Sequence, residues 1–315
     1  MRARRIAERV ATIGADITHD SGASWSGDVY QPQTGSPLLA LDREIASFPA
    51  HRRLRAALSP RTRWRRFQMA KLEAIQARRA RHIVAVSHRI RTQLAATHAI
   101  PAERITVIPN GVDTVKFSPA RLAPMRAEMR ARLGIGDAVL FVAGAHNMRL
   151  KGIDTALAAL AALHRDGADI RLAVAGGAAD AFWTTRAAAL GIADRVHFLG
   201  QIAEMDALFA AADVCLHPTR WDACSLVTIE AMAAGLPVIT TAMNGAAELI
   251  DPHRTGLVLP DPEDAHALAQ TMRTLLDPAL RARIGAAAHA AAQHYDVTDN
   301  CRAVEAVLIK TAACR

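Results

Sequence analysis

From about residue 138 onward, the chain alternates short apolar runs with stretches of helical spacing. The apolar runs predict strands at 138–144, 170–177, 195–200, 213–219, 236–241 and 256–260. Helices are predicted between them, and two more between Pro262 and His294 are separated at Asp277-Pro278. Strands that are apolar on both faces and alternate with helices indicate a parallel sheet covered on both sides. This half is therefore predicted to be a doubly wound, Rossmann-like α/β domain.

The first third shows the same α/β pattern less regularly. Residues 82–113 predict strand, helix, turn and strand, and 14–22 predict one strand ending in a polar loop. Glycines and prolines in 23–60 predict a long irregular connection, and 118–137 predicts a polar linker. Two or three strands are too few for a complete doubly wound domain.

These patterns predict three parts of the chain. Residues 1–117 form an incomplete Rossmann-like domain, 118–298 form the second domain, and 299–315 form a helix that packs back on the first.

Positive charge is concentrated in one block of the chain. The formal net charge is +8, but residues 52–81 alone carry a net +10 and include Trp64 and Phe67. Such a block can contact an anionic lipid surface, nucleic acid or an anionic substrate, and a solvated Arg-rich helix face explains it equally well. Because no known nucleic-acid-binding motif accompanies the block, we expect no nucleic-acid partner.

Composition also bears on localisation. No apolar run reaches the roughly 18 residues of a spanning helix, and the basic N-terminus lacks the apolar core of a signal peptide. We therefore expect a cytoplasmic protein. The four cysteines have neither CxxC nor zinc-site spacing, so we interpret them as buried free thiols: Cys215, Cys224, Cys301 and Cys314.

Candidate chemistry lies in the loops that follow the predicted strands of the second domain. Ligands of open α/β sheets bind beyond the carboxyl ends of the strands. The loop GAHNMRLKG (144–152) brings Arg149 and Lys151 to the start of a helix. Two cations beside exposed helix-start amides can hold a diphosphate, although a solvated turn would have the same sequence.

The stretch HPTRWDACSLVTIE (217–230) contributes a second candidate group. Ser225 occupies an N-cap position, so the amides of Ser225, Leu226 and Val227 can face an anion. Glu230 lies more than one turn further on, where a carboxylate can accept two hydrogen bonds from the vicinal hydroxyls of a ribose. An ion pair with a nearby arginine is the alternative. A third loop, 242–250, turns tightly at Asn244-Gly245.

These segments resemble the retaining GT-B glycosyltransferases of family 4. DACSLVTIEAMAAGLPVITTAMNGAAELI is similar to the family's acid-x7-acid motif, HNMRLKGIDTALAAL to its diphosphate loop, and VAVSHRIRTQLAATHAIPAERITVIPNGVDTVKFSP to its interdomain segment. Within the family, the chain looks most like the lipopolysaccharide-core glucosyltransferases.

The resemblance implies an α/β GT-B fold of two Rossmann-like domains and a role for each candidate residue. Glu230 would hold the ribose, Asp222 would contact the donor hexose, and Arg149 and Lys151 would neutralise the leaving diphosphate. The amides of Cys224, Ser225, Leu226 and Val227 would touch the sugar or phosphates, with Asn244 beside them. His19, with Asp20, would bind the acceptor or donor sugar, or be part of a polar loop without a role.

The implied activity is hexose transfer from a nucleotide sugar, expected to be a UDP-sugar, to a glycolipid or lipopolysaccharide-core acceptor. The resemblance implies retention of anomeric configuration. With such an acceptor, the basic block 52–81 is expected to attach the protein peripherally to the inner membrane. Because no Asp-x-Asp triplet occurs, we expect no metal and no cofactor besides the donor substrate.

Two departures from the family pattern leave an alternative open. The first acid of the motif is Asp222 rather than glutamate, and about half of the expected first domain is absent. The alternative is an inactive remnant that binds nucleotide sugar without efficient transfer.

Overall fold

The computed structural model describes residues 2–22, 27–177 and 181–314. The helices are α1 (Arg2–Ile13), α2 (Pro37–Ala46), α3 (Ala50–Leu58), α4 (Pro60–Arg79), α5 (His88–His98), α6 (Pro119–Leu122), α7 (Arg126–Leu133), α8 (Ile153–Arg165), α9 (Ala181–Ala189), α10 (Met205–Ala211), α11 (Leu226–Ala233), α12 (Ala265–Thr274), α13 (Pro278–Ala292) and α14 (Val297–Ala313). The strands are β1 (His19–Asp20), β2 (Val29–Tyr30), β3 (His82–Ala85), β4 (Ile105–Val107), β5 (Val139–Ala145), β6 (Ile170–Gly176), β7 (Val196–Gly200), β8 (Val214–His217), β9 (Val238–Thr241) and β10 (Leu257–Leu259).

The chain divides into two compact units. The first contains 1–111, 222–224 and 297–315, and the second contains 112–221 and 225–296. The short segment Asp222–Cys224 therefore belongs to the first unit, although the residues on both sides of it belong to the second. Helix α14 also belongs to the first unit, and its Val304, Val307 and Leu308 pack against the sheet residues Val29 and Val84.

The sheet of the first unit has four parallel strands in the order β1-β2-β3-β4. Two of them contain only two residues, which explains why the sequence pattern around 14–30 was so weak. The predicted strand over 14–22 is reduced to His19 and Asp20. Whether the first domain is shortened relative to the family stays a prediction.

The irregular connection predicted for 23–60 is wrong for most of its length. Strand β2 and helices α2 and α3 occupy it, while 23–26 lie outside the described residues. The prolines begin helices here instead of interrupting them. Pro37 and Pro60 each occupy the first helical turn, after Ser36 and Ser59 accept hydrogen bonds from amides of that turn. Proline fits this position because its missing N–H would have no partner in the helix.

The sheet of the second unit has six parallel strands in the order β10-β9-β8-β5-β6-β7. This is the strand order of the dinucleotide-binding Rossmann fold, so the predicted doubly wound architecture is confirmed. Strands β5 and β6 pair along their whole length, from Val139 opposite Ile170 to Ala145 opposite Gly176. The order reverses between β5 and β8, which makes a crevice at the carboxyl ends of these two strands.

The linker predicted for 118–137 is also wrong, because these residues are helices packed into the second unit. The Arg126 guanidinium donates to Asp213 Oδ1 at 2.6 Å, and Arg130 Nη1 donates to Asp213 Oδ2 at 3.1 Å. Arg130 also donates to three backbone carbonyls, those of Ala138, Ala211 and Gly136. The arginines that make this stretch polar therefore form fixed hydrogen bonds within the second unit.

The cysteines are free thiols, but they are not all buried as predicted. Cys215 and Cys224 are buried, and Cys301 and Cys314 are exposed on or beside α14. Burial raises the pKa of the Cys215 thiol and keeps it protonated. Among the helices that the structure describes, none has the length and hydropathy needed to cross a bilayer.

Candidate active site

The candidate residues of the second unit meet at the reversal point of its sheet. The loop after β5 carries Arg149 and Lys151, and the chain after β8 leads to α11. The end of β5 lies close to the first turn of α11, because a Cβ placed on Gly144 would come within 2.6 Å of Val227 Cγ2. Glycine at this position therefore permits the two elements to approach each other.

The loop after β5 is a tight turn closed by Asn147. Its side-chain oxygen accepts from the Leu150 amide at 3.0 Å, and its carbonyl accepts from the Lys151 amide at 2.9 Å. Gly152 ends the turn with φ of +71°, and an added Cβ there would lie 2.0 Å from the Pro218 carbonyl oxygen. A side chain at this position would push the loop after β5 away from the loop after β8. The two cationic side chains are thus presented by a loop of fixed shape.

Arg220 holds the two loops together, a role that the sequence did not reveal. Its buried guanidinium donates to the Arg149 carbonyl at 2.6 Å and to both oxygens of Asp154 at 2.7 and 3.0 Å. It also donates to Glu263 at 3.2 Å. Burial alone would lower the pKa of Arg220, but the hydrogen bonds and charges of the two carboxylates outweigh burial and raise it. No sequence signal could have paired Arg220 with Asp154, 66 positions earlier.

The start of α11 presents two backbone amides. Ser225 is its N-cap, as predicted, and its hydroxyl accepts from the Thr228 amide at 3.3 Å. Within the described part of the chain, the amides of Leu226 and Val227 have no hydrogen-bond partner. Unsatisfied N–H groups at a helix start, together with the helix dipole, attract an anion.

The structure gives Asn244 and the Ser225 amide a supporting position instead of a ligand-facing one. The Asn244 side chain is buried, and its oxygen accepts from the amides of Ser225 at 3.2 Å and Ala246 at 3.0 Å. Its nitrogen donates to Thr228 Oγ1 at 2.9 Å and Thr240 Oγ1 at 3.1 Å. The bonds to Ser225 and Thr228 fix the start of α11, and those to Ala246 and Thr240 tie it to the end of β9 and the turn that follows.

Glu230 lies one turn into α11, roughly 6 Å along the axis from Leu226. It is half-buried. Burial raises its pKa, and the charge of Lys116 opposes this rise. Across the described residues, its carboxylate accepts no hydrogen bond and forms no ion pair with an arginine within 4.0 Å. A half-buried carboxylate that accepts no hydrogen bond from the protein can accept hydrogen bonds from the hydroxyl groups of a ligand.

Arg149 lies against two aromatic side chains at the start of α9. Its guanidinium carbon is 4.9 Å from the centroid of the Phe182 ring and 5.7 Å from that of Trp183. The Lys151 ammonium donates to the Trp221 carbonyl at 3.4 Å. Both cations are half-buried at this edge of the second unit, which gives it positive charge beside the α11 amides.

In the first unit, Asp222–Cys224 lies at the carboxyl ends of two strands. Ser87, which follows β3, donates from its hydroxyl to the Ala223 carbonyl at 2.8 Å. Asn110, which follows β4, donates from its side-chain amide to the Cys224 carbonyl at 2.8 Å. The Asp222 side chain is partly exposed, whereas the Cys224 side chain is buried. Two polar residues outside the predicted set therefore position this segment.

His19 and Asp20 occupy β1 but face different surroundings. His19 is exposed, whereas Asp20 is buried and accepts hydrogen bonds from the Gln76 side chain at 3.3 Å and the Gly22 amide at 2.9 Å. Asp20 therefore stabilises the first unit, and His19 is the member of the pair that solvent or a ligand can reach.

Two family models match the chain, one in each half. Residues 136–278 match the family described as glycosyl transferases group 1, and residues 2–116 match Glycosyltransferase Family 4. The solved structure of the Anabaena protein HepE with UDP has a TM-score of 0.76 to this chain at 21% identity, covering 97% of this chain and 82% of that one. At that identity, the likeness supports the fold alone.

Curated relatives of the chain include glycosyltransferases that act on lipids and lipopolysaccharide. A GDP-mannose-dependent alpha-(1-6)-phosphatidylinositol monomannoside mannosyltransferase of Mycolicibacterium smegmatis is 34% identical, covering 64% of this chain and 55% of the relative. Lipopolysaccharide glucosyltransferase WaaG of Escherichia coli is 32% identical, covering 55% of this chain and 47% of the relative. A crystal structure of WaaG covers 96% of this chain and 80% of that one at a TM-score of 0.79 and 23% identity.

The chain spans about half the length of the curated relatives it matches. The two family models nevertheless fall on the two units, and each unit has the parallel α/β sheet of the matched structures. Two glycosyltransferase family models, group 1 and family 4, thus match successive parts of the chain, and its fold is the GT-B fold of the matched structures.

Proposed function

We propose that this protein is a hexosyltransferase that takes its sugar from a nucleotide-diphosphate donor and transfers it with retention of anomeric configuration. The observation that carries the proposal is the convergence at the β5–β8 reversal point. Arg149 and Lys151 supply positive charge, Leu226 and Val227 supply free amides, and Glu230 supplies a carboxylate. This set matches the two ends of a nucleoside diphosphate, phosphates at one and ribose hydroxyls at the other.

The reaction breaks the bond between the sugar's anomeric carbon and the donor's β-phosphate oxygen. Negative charge develops on the departing diphosphate, and fixed cations and amides stabilise that charge without reorganising. The acceptor hydroxyl attacks the anomeric carbon from the face that the diphosphate leaves, and its proton passes to a diphosphate oxygen. In this proposal Arg149 and Lys151 provide the charge neutralisation that a bridging divalent ion provides in other transferases.

The donor base and the acceptor are proposed from the names of relatives. The mycobacterial relative is named for GDP-mannose and a phosphatidylinositol mannoside, and WaaG for lipopolysaccharide. Together with the predicted UDP-sugar, these names define two donors to test, UDP-glucose and GDP-mannose. We propose a glycolipid or lipopolysaccharide-core saccharide as the acceptor. Asp222 contacts the hexose in this proposal and reaches one methylene less far than the glutamate usual in the family.

Transfer can be tested with radiolabelled UDP-glucose and GDP-mannose and a deacylated lipopolysaccharide-core or glycolipid acceptor. We expect label in the saccharide and stoichiometric release of UDP or GDP with one donor. The inactive-remnant alternative predicts donor binding without label in any product. Absence of both binding and transfer would contradict the proposal and its alternative together.

Glu230→Gln should weaken nucleotide binding while stabilising the fold. Losing the negative charge and one of the two acceptor oxygens should lower UDP or GDP affinity about tenfold to a hundredfold. Because burial raises the pKa of Glu230, its ionised form costs folding free energy above the ordinary carboxylate pKa. The variant should therefore resist denaturant better at neutral pH, and this advantage should disappear as pH falls below that value.

Isothermal titration with UDP and with its 2′,3′-dideoxy analogue checks the ribose assignment. The parent protein should prefer the ribonucleotide, and Glu230→Gln should bind both nearly equally. An unchanged preference in the variant would refute the assignment of Glu230 to the ribose.

We further propose that the protein docks on anionic lipid through a basic surface formed by α3 and the first half of α4, residues 50–68. Helix α3 has no buried residue, and the sequence 50–68 contains seven arginines and no acid. Leu54, Leu58, Trp64 and Phe67 are each more than 60% exposed on these helices. Glu73 anchors the second half of α4 through Ser36 at 2.7 Å and His98 at 3.0 Å.

Exposed apolar side chains between arginines match a bilayer interface with anionic headgroups. Each cation near such a surface contributes about 1 kcal/mol, and a buried Trp or Phe adds roughly 1.5–3 kcal/mol. The basic surface would hold the enzyme at the inner face of the membrane, where lipid-linked acceptors are available.

Trp64→Ser with Phe67→Ser should reduce partitioning into phosphatidylglycerol vesicles about tenfold or more. Ile309→Ser, which removes a similarly exposed apolar side chain (64%) from α14, is the matched control and should change little. Cosedimentation at low and high salt measures the effect, and binding should weaken at high salt. Equal partitioning of the double variant and the control would contradict lipid docking, as would tighter binding to RNA than to vesicles.

A further inference from the structure

Two aromatic side chains of the second unit lie beside Arg149. Phe182 and Trp183 are consecutive residues in the first turn of α9, and the Arg149 guanidinium lies over both rings. Neither aromatic residue belongs to the motifs that identified the family.

The two rings have different surroundings. Trp183 is buried and belongs to the hydrophobic core of the second unit, so it fixes the position of α9. Phe182 is 43% exposed and meets Trp183 edge to face, with ring centroids 5.0 Å apart and an interplanar angle of 87°. Edge-to-face contact is a favoured arrangement for two rings. Trp183 therefore fixes the Phe182 ring in place, and the Phe182 ring contacts the Arg149 guanidinium.

Arg149 is thereby held at both ends. Its backbone carbonyl accepts a hydrogen bond from Arg220 Nη1 at 2.6 Å, and its guanidinium rests against Phe182. A free arginine side chain loses much rotamer entropy when it binds a phosphate. A side chain already held near its bound position loses less, so it binds the anion more tightly.

We propose that Phe182 is a positioning residue that holds the Arg149 guanidinium ready for the terminal phosphate of the donor. This inference rests on the proposed function, because it assumes that Arg149 meets the diphosphate. It adds that the aromatic pair sets how strongly the site prefers a nucleoside diphosphate over a monophosphate. Phe182 acts through Arg149 and makes no contribution of its own to nucleoside binding.

The experiment is a double-mutant cycle read out as the ratio of the dissociation constants of UMP and UDP, repeated with GMP and GDP. Phe182→Leu keeps an apolar side chain but removes the ring, and it should lower the diphosphate preference about threefold to tenfold. UMP affinity should be unchanged. Phe182→Tyr restores the ring and should restore the preference. In the Arg149→Ala background, Phe182→Leu should have no further effect.

Two results would overturn the inference alone. They are an undiminished diphosphate preference in Phe182→Leu, and an equal loss whether or not Arg149 is present. A diphosphate preference that survives Arg149→Ala by itself would instead overturn the assignment of Arg149 in the proposed function, and the inference with it. Thermal unfolding of each variant verifies folding, which a 43% exposed side chain should hardly alter.

Discussion

Replacing Arg149 with alanine should slow hexose transfer about a hundredfold to a thousandfold, the loss typical of removing one fixed group that stabilises transition-state charge. The guanidinium sits on a loop whose shape is fixed by Asn147 and Gly152, at the point where the sheet order reverses. It is therefore in place before the diphosphate departs. Because the diphosphate carries more negative charge in the transition state than in the bound donor, kcat should fall more than donor affinity.

Steady-state kinetics with the preferred donor measures this effect, and Lys151→Ala should act in the same direction. Arg165→Ala is the matched control, because this exposed arginine ends α8 away from the loop after β5. An Arg149→Ala variant with the kcat of the control would remove Arg149 from the chemistry.

Replacing Arg220 with alanine should lower the free energy of unfolding of the second unit by about 3 kcal/mol or more. The change leaves Asp154 without its bidentate partner and the Arg149 carbonyl without its donor. Arg220→Lys should recover little, because an ammonium cannot span Asp154, Glu263 and a carbonyl at once. The loosened loop should also weaken diphosphate binding in any variant that still folds.

Denaturant unfolding and nucleotide titration of the same samples check both parts of this prediction. Arg302→Ala, which removes an exposed i,i+3 pair with Asp299, should change stability by less than about 1 kcal/mol. A loss for Arg220→Ala no larger than that of the control would show that the buried guanidinium does not hold the loops together.

The sequence predicted the second unit well because its strands are buried on both faces. A continuous apolar run followed by a helical pattern has few interpretations other than a parallel α/β sheet. The N-cap at Ser225 was equally readable, since a local hydrogen bond to Thr228 defines it. Features fixed by neighbouring residues were thus accessible from sequence.

The predictions from sequence were wrong where the structural role of a residue depends on partners that are distant in the chain. Pro37 and Pro60 suggested an irregular connection, but the residues after them bury apolar or polar faces on the first unit and form helices. The arginines of 118–137 suggested a solvated linker, whereas Asp213, more than 80 positions away, makes them part of the second unit. Composition alone does not distinguish a solvated charge from a paired one.

The candidate site likewise contains residues that the sequence predicted and residues that it did not. Its cations and its carboxylate were predicted from loop position and family resemblance. The groups that hold them, Arg220 and the Phe182–Trp183 pair, were not predicted, because contacts across 33 to 71 positions leave no periodic trace. Asn244 was assigned to the ligand, but its side chain makes four hydrogen bonds within the protein, two of them to Ser225 and Thr228 at the start of α11.

The central claim, that the second unit binds a nucleoside diphosphate at the β5–β8 reversal point, can be tested by one calorimetric comparison. UDP, GDP, UMP and GMP are titrated into the full chain in the presence of a metal chelator. We predict that one diphosphate binds saturably and at least about tenfold more tightly than its monophosphate. Absence of saturable binding, or equal affinity for the diphosphate and monophosphate, would contradict the claim.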